Sequence, residues 1–235
     1  MLVQDTSQIS LAVMNILSDD EIEILHKKLG HLSYSSMKIL YPTIKIYPNK
    51  VCEVCLKAKQ TRKSFNKEKL RGRSTIKLEN VHTDVNEQPI VSFLGEKYFL
   101  IFVEEYTHFT TVFIMKRKSE VLIHYKYYEN RMKLIMNRPG ISNLYCDNGG
   151  EYISKEFESY VKSQGTDKKN TIRSTPELNG IAERMGRTIM DRTRALLFEA
   201  GLPDTFWNFA VMTATYIINR SPTSALPNNK TRDAE

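Results

Sequence analysis

The sequence predicts an α/β protein, a mixed sheet flanked by helices, with a small helical segment in front of it. Three observations lead there. Between Asn80 and Arg117 the chain is dense in β-branched and aromatic residues broken by turn signals. From Ser119 onward, stretches of helical period alternate with short apolar runs. Ahead of Asn80, a short segment carries two histidines and two cysteines at close spacing.

Taken in order, "NVHTDV" (Asn80–Val85) alternates apolar and polar residues and reads as the first strand. "KYFLIFVEEYT" and "FTTVFIMKR", separated by a turn around His108, read as an antiparallel pair. Ser119 is placed to cap a long helix running to about Asn137, with Pro139-Gly140 closing it. "ISNLYC" is a fourth strand, and "SKEFESYVKSQG" is a helix ended by Gly165. A weak fifth strand is expected near Thr171 to Arg173, followed by helices over Asn179–Ala200 and Pro203–Asn219. The organisation that follows is a flank (1–20), a His/Cys module (21–60), a basic linker (61–79), an α/β core (80–220) and a tail (221–235).

Composition narrows the function. The chain is 41% hydrophobic and 26% charged, which is globular rather than disordered usage. It has no apolar run of membrane-spanning length and no signal-peptide pattern at its start. With only three cysteines, two of them in one Cys-x-x-Cys, the sequence points to an intracellular protein and not a disulfide scaffold. The net charge of +7 is concentrated between Lys45 and Lys77, where only Glu53 and Glu68 oppose the basic residues. Such a stretch favours a polyanion through counterion release, although a solvated linker has the same composition.

His26-x4-His31 and Cys52-x2-Cys55 supply two pairs of zinc ligands. Four nitrogen and sulfur donors with no open position make a structural rather than catalytic zinc site. A redox Cys-x-x-Cys would need a thioredoxin-like strand–helix context, which is missing around it. A segment this short buries little core, so one bound Zn²⁺ would supply much of its folding free energy. Cys146 reads as a small buried residue and not a ligand.

Three acids stand out by position: Asp84 in the first strand, Asp147 at the end of the fourth, and Glu183 at the start of a long helix. Asp147 lies in "YCDNGGEY", where Asp-Asn-Gly-Gly is also ordinary turn chemistry. Glu183 is equally a first-turn acid complementing the helix dipole, and Asp84 an edge-strand polar residue. Carboxylates that converge repel one another unless a cation neutralises them, and Mg²⁺ is bound by a few carboxylates together with phosphate oxygens. On the long helix, Ala182, Met185, Ile189, Thr193 and Leu196 form the apolar stripe, while Glu183, Arg187 and Arg194 share another face. Spacing alone leaves the structural and catalytic readings of these acids open.

From Leu25 to Leu226 the chain resembles the integrase segment of copia-type LTR retrotransposon Pol polyproteins. The resemblance is carried by "HKKLGHLS", "CEVCLKAKQTRKSF", "VHTDV", "CDNGGEY", "TPELNGIAERMGRT", "GLPDTFW" and "TATYIINRSP", in the expected order. It implies a ribonuclease-H-like five-stranded core preceded by a zinc-binding pre-integrase module. It also implies that Asp84, Asp147 and Glu183 bind Mg²⁺ or Mn²⁺, two ions in all. The implied activity is that of a polynucleotidyl transferase, trimming element DNA where needed and joining its 3′ ends to target double-stranded DNA. Lys59, Arg62, Lys63, Lys155, Arg184, Arg187 and Arg194 are the candidate DNA contacts, and backbone contacts of this kind make target choice loose. A homo-oligomer, at least a dimer, is expected because integration joins two ends, and the nucleus is the expected compartment.

Some positions depart from the family pattern. "VNEQPI" replaces a Gly-Pro turn after Asp84, and Leu25 stands where a tryptophan is usual. "GTDKKNTIRSTPE" puts Thr166, Lys168, Asn170, Arg173 and Ser174 where apolar residues usually seat a strand. Losing two or three buried apolar side chains there would cost several kcal/mol. The chain stops at Glu235, without the protease or reverse transcriptase of a full polyprotein, as a fragmentary gene copy would. Two rival expectations follow: a catalytically inactive, zinc-stabilised nucleic-acid-binding remnant, and a nuclease of the same fold acting on RNA–DNA hybrids.

Overall fold

The computed structural model describes residues 18–46, 50–58, 74–170 and 180–234. Five strands form one mixed sheet: β1 (Asn80–Glu87), β2 (Tyr98–Glu104), β3 (Thr110–Met115), β4 (Asn143–Cys146) and β5 (Asp167–Asn170). Their order across the sheet is β3-β2-β1-β4-β5, antiparallel from β3 to β1 and parallel from β1 to β5.

The continuous apolar run of β2 is explained by burial on both faces. Leu100 and Phe102 point to one side, where they pack with Tyr125, Tyr128 and Met132 of α4 (Val121–Met136) and Phe157 and Val161 of α5 (Lys155–Ser163). Phe99, Ile101 and Val103 point to the other, against Ala182, Met185 and Ile189 of α6 (Gly180–Ala200) and Val211, Ala214 and Ile218 of α7 (Trp207–Asn219). Strand period two thus feeds both cores from one segment.

Helix ends follow local chemistry, with two differences from expectation. Ser154 caps α5 by accepting from Phe157 N, and Gly165 takes a left-handed φ of 73° after its end. Ser119 does not cap α4; a 3₁₀ turn over Lys118–Glu120 leads into it, and Glu120 accepts from Arg117 N at 2.8 Å. The same helix ends near Asn137 as expected, but Asn137 itself, at φ 50°, ψ 52°, closes it ahead of Pro139-Gly140. Asparagine tolerates that region better than other residues with a side chain.

The fifth strand lies at Asp167–Asn170, and its expected place near Thr171 to Arg173 falls outside the described residues. It is an edge strand with mostly exposed side chains, so Lys168 and Asn170 displace no core residue. Thr166 is buried, but its hydroxyl donates to Ile141 O at 2.8 Å. The expected loss of several kcal/mol therefore does not arise at Thr166, Lys168 and Asn170. Arg173 and Ser174 lie outside the described residues.

The N-terminal module consists of α1 (Asp19–Lys28), α2 (Tyr34–Leu40) and α3 (Glu53–Ala58) around Ile22, Leu32, Met37, Ile44 and Ile46. Ser18 and Glu21 form a reciprocal capping box at the start of α1. At the other end of the basic linker, Leu78 joins the sheet core, and Ser74 is buried too. No described helix is long and apolar enough to cross a membrane.

Candidate active site and metal centre

The sheet's topology explains how three distant acids come near enough to feel one another's charge, although among the described residues only the His/Cys group has its donor atoms within 4.8 Å of one another. β1 and β4 are adjacent and parallel, so Asp84 and Asp147 emerge in the same direction from neighbouring strands. The first turn of α6 brings Glu183 over the same side. The acids interact: burial, and after it the charges of Asp147 and Glu183, push the Asp84 carboxyl from its ordinary 3.8 up to about 6. Asp84 is half-buried, whereas Asp147 and Glu183 are exposed.

Two residues hold this arrangement that the sequence did not single out. Asn86, two positions along β1 from Asp84 and on the same face, donates its amide to Asp84 Oδ2 at 3.2 Å. A Cβ on Gly186 would come within 3.1 Å of Asn86 Oδ1, so the missing side chain there lets α6 approach β1. The period of two along β1 was the one available signal for Asn86. Tyr152, fully buried, bonds Thr83 Oγ1 through its hydroxyl at 3.0 Å and ties the Asp147 loop to β1.

Asp147 serves as a turn former as well: its Oδ1 accepts from Gly149 N at 3.0 Å. One carboxylate oxygen thus closes the turn, and the second stays available at the exposed end of β4. The set has the hard oxygen chemistry that suits Mg²⁺, and mutual repulsion gives it a reason to bind a cation. Cys146 is buried beside it, with its thiol pushed by burial to about 12 and donating to Asn170 Oδ1.

The His/Cys module brings its four donors together. His31 Nδ1 lies 3.2 Å from His26 Nε2 and 3.5 Å from both Cys52 Sγ and Cys55 Sγ, while Cys55 Sγ is 3.3 Å from His26 Nε2. All four donor atoms fall within 4.8 Å of one another. A tetrahedral zinc with ordinary Zn–N and Zn–S bonds would space its ligands by roughly 3.3–3.8 Å, so the donor set fits that ion. His26 Nδ1 is 2.8 Å from Leu32 O, which favours a proton on Nδ1 and leaves Nε2 as the donor to a metal.

Of the candidate DNA contacts, Lys155 opens α5 and is exposed, and Arg184 and Arg187 are exposed beside Glu183 on α6. Arg194 is engaged elsewhere: its guanidinium donates to Ala58 O of the module at 3.1 Å and pairs with Asp191. Lys59, Arg62 and Lys63 lie outside the described residues.

Comparisons with known proteins bear on the family and the fold. The family described as the GAG-pre-integrase domain matches residues 2–60. The retrovirus-related Pol polyprotein from transposon TNT 1-94 of Nicotiana tabacum is 36% identical over 96% of this chain and 17% of its own length. That from transposon RE1 of Arabidopsis thaliana is 33% identical over 86% of this chain and 14% of its own. The chain therefore spans less than a fifth of these relatives. Among solved structures, the simian T-cell lymphotropic virus intasome in complex with PP2A regulatory subunit B56 gamma superposes with TM-score 0.57 at 19% identity, covering 77% of this chain and 61% of that one. The trimeric form of the HTLV-2 integrase catalytic core domain in complex with magnesium gives 0.51 at 17% identity, covering 68% and 97%. These likenesses show the fold, which is ribonuclease-H-like.

Proposed function

Because the chain belongs with the integrase regions of copia-type retrotransposon Pol polyproteins, we propose that it joins element DNA 3′ ends to target duplex DNA. The observation that supports this reading is the electrostatic coupling of Asp84 to Asp147 and Glu183, which come from two adjacent parallel strands and a helix start and help raise the Asp84 carboxyl to about 6. These three residues would hold Mg²⁺, as the HTLV-2 core domain was solved in complex with that ion. The divalent cations, when bound, supply activation of an attacking hydroxyl and stabilisation of the leaving oxygen.

The chain's own contribution is placement. Asn86 keeps Asp84 in one orientation, and the Gly149 N–H does the same for Asp147. Arg184, Arg187 and Lys155 are offered as contacts to phosphate oxygens along the approaching backbones, with Lys59, Arg62 and Lys63 extending the basic path. The His/Cys donors would hold one Zn²⁺ as a structural ion that closes the module. A homo-oligomer acting in the nucleus completes the reading, since two DNA ends must be joined in concert.

The test is strand joining: a labelled short duplex with a recessed 3′ end, a plasmid target, Mg²⁺, and the wild-type chain beside Glu183→Gln. Joined product from the wild type, lowered at least a hundredfold in the variant, is the expected result. Hydrolysis of RNA–DNA hybrids without joining would transfer the site to a nuclease. Duplex binding with neither reaction would make the chain an inactive remnant.

A further inference from the structure

The module is packed on the same helix that carries Glu183. At one end of α6 lies the acidic site; towards the other, Arg194 donates to Ala58 O of the module. Beyond Arg194, Glu199 divides its two oxygens between module residues. Oε1 lies 3.3 Å from Lys27 Nζ, and Oε2 lies 3.7 Å from His31 Nε2. That imidazole is buried, and its other nitrogen, Nδ1, is the one turned to the remaining three donors.

We propose that Glu199 is a positioning residue of the zinc centre, an outer carboxylate supplied by the core helix that orients His31 for the metal. The proposal rests on the reading of the His/Cys group as a zinc site. Metal-bound imidazoles hold their second ring N–H on a carboxylate or carbonyl, which fixes the ring and raises its basicity. For His26 that partner is the module's own Leu32 O, at 2.8 Å. For His31 the carboxylate comes from across the interface. Metal at Nδ1 polarises the Nε2–H, so the 3.7 Å separation is expected to shorten on binding.

A second side chain on α6 points the same way. Arg192 stands seven residues before Glu199, close to the same helical face. Its Nη1 is buried without a hydrogen-bond partner among the described residues. The zinc site would therefore be complete only with the module seated on α6.

The test measures zinc affinity of the full chain by competition with a chromophoric chelator, and the visible spectrum of the Co²⁺-substituted protein. The chains compared are wild type, Glu199→Gln and Lys27→Met. Lys27→Met removes the other partner of Glu199 and leaves His31 untouched, so it controls for simple loss of an interface ion pair. Glu199→Gln is expected to bind zinc 10–100-fold more weakly and to shift the Co²⁺ bands, with Lys27→Met close to wild type in both. Wild-type affinity and spectrum in Glu199→Gln would overturn the proposal, as would equal losses in both variants. Failure of the wild type to bind zinc would remove the metal itself, whatever the strand-joining result.

Discussion

Asp84 is where the electrostatics of the active site are most exposed to experiment. Its carboxyl is raised from 3.8 to about 6, first by burial and then by Asp147 and Glu183. In magnesium-free buffer the fold therefore prefers it protonated. The stability contributed by that proton is fully present below about pH 3.8 and lost as the pH rises through about 6. Asp84→Asn keeps the shape and cannot ionise. The variant should match wild type in unfolding free energy near pH 4 and exceed it above pH 7 by on the order of 1–3 kcal/mol. Added Mg²⁺ should shrink the difference by neutralising the wild-type cluster. Denaturant melts at pH 4, 5.5 and 7.5 measure this directly, and a pH-independent gap would mean that the three carboxylates do not share one field. Asp147 is a turn former, accepting from Gly149 N, and its exposure at the end of β4 leaves that role compatible with the metal-binding one that its sequence context set against it.

Among the elements, α6 bears most on function, and one absent side chain controls how close it comes. A methyl on Gly186 would meet the Asn86 amide at 3.1 and 3.2 Å, and that amide holds Asp84. Gly186→Ala should gain about 1 kcal/mol of helix propensity and give much of it back in crowding. The expected outcome is a melting temperature within a few degrees of wild type, with strand joining or Mg²⁺ affinity reduced several-fold through displaced Asn86. A normal site in a stable variant would show that Asn86 swings aside without consequence. The apolar stripe of α6 was legible from its period, since Ala182, Met185, Ile189 and Thr193 are buried as the sequence predicts. What the same helix does for the module was not legible. Arg194 and Glu199 have the appearance of a solvated face until the module is laid against them. The fifth strand was only weakly legible for a different reason: an exposed edge strand such as Asp167–Asn170 carries no apolar pattern to read.

Over the whole molecule, module and core meet where no local pattern in either announces a contact. The spacing of His26, His31, Cys52 and Cys55 predicted a group of four donors that the fold brings together, whereas only family resemblance favoured a metal-binding reading of the three acids over turn and helix-cap roles. The interface appears only in three dimensions. Gly30 takes a left-handed φ of 61°, and a Cβ there would lie 2.7 Å from Ile217 Cδ1 of α7. Gly30→Ala thus meets backbone strain of about 1–2 kcal/mol together with a collision at the interface. Among the described residues the module's central cluster has five buried apolar side chains, so the module is expected to depend on a bound metal and on the core it rests upon. Two perturbations should then share one fingerprint in amide hydrogen exchange. Both Gly30→Ala and removal of zinc by a chelator should accelerate exchange across α1–α3 and at the facing ends of α6 and α7. Amides of β1, β2 and β4 should keep their protection, because both sheet faces are covered independently of the module. If the sheet loses protection together with the module, the chain folds as one indivisible unit. If Gly30→Ala changes nothing, the contact with Ile217 does not hold the two parts together.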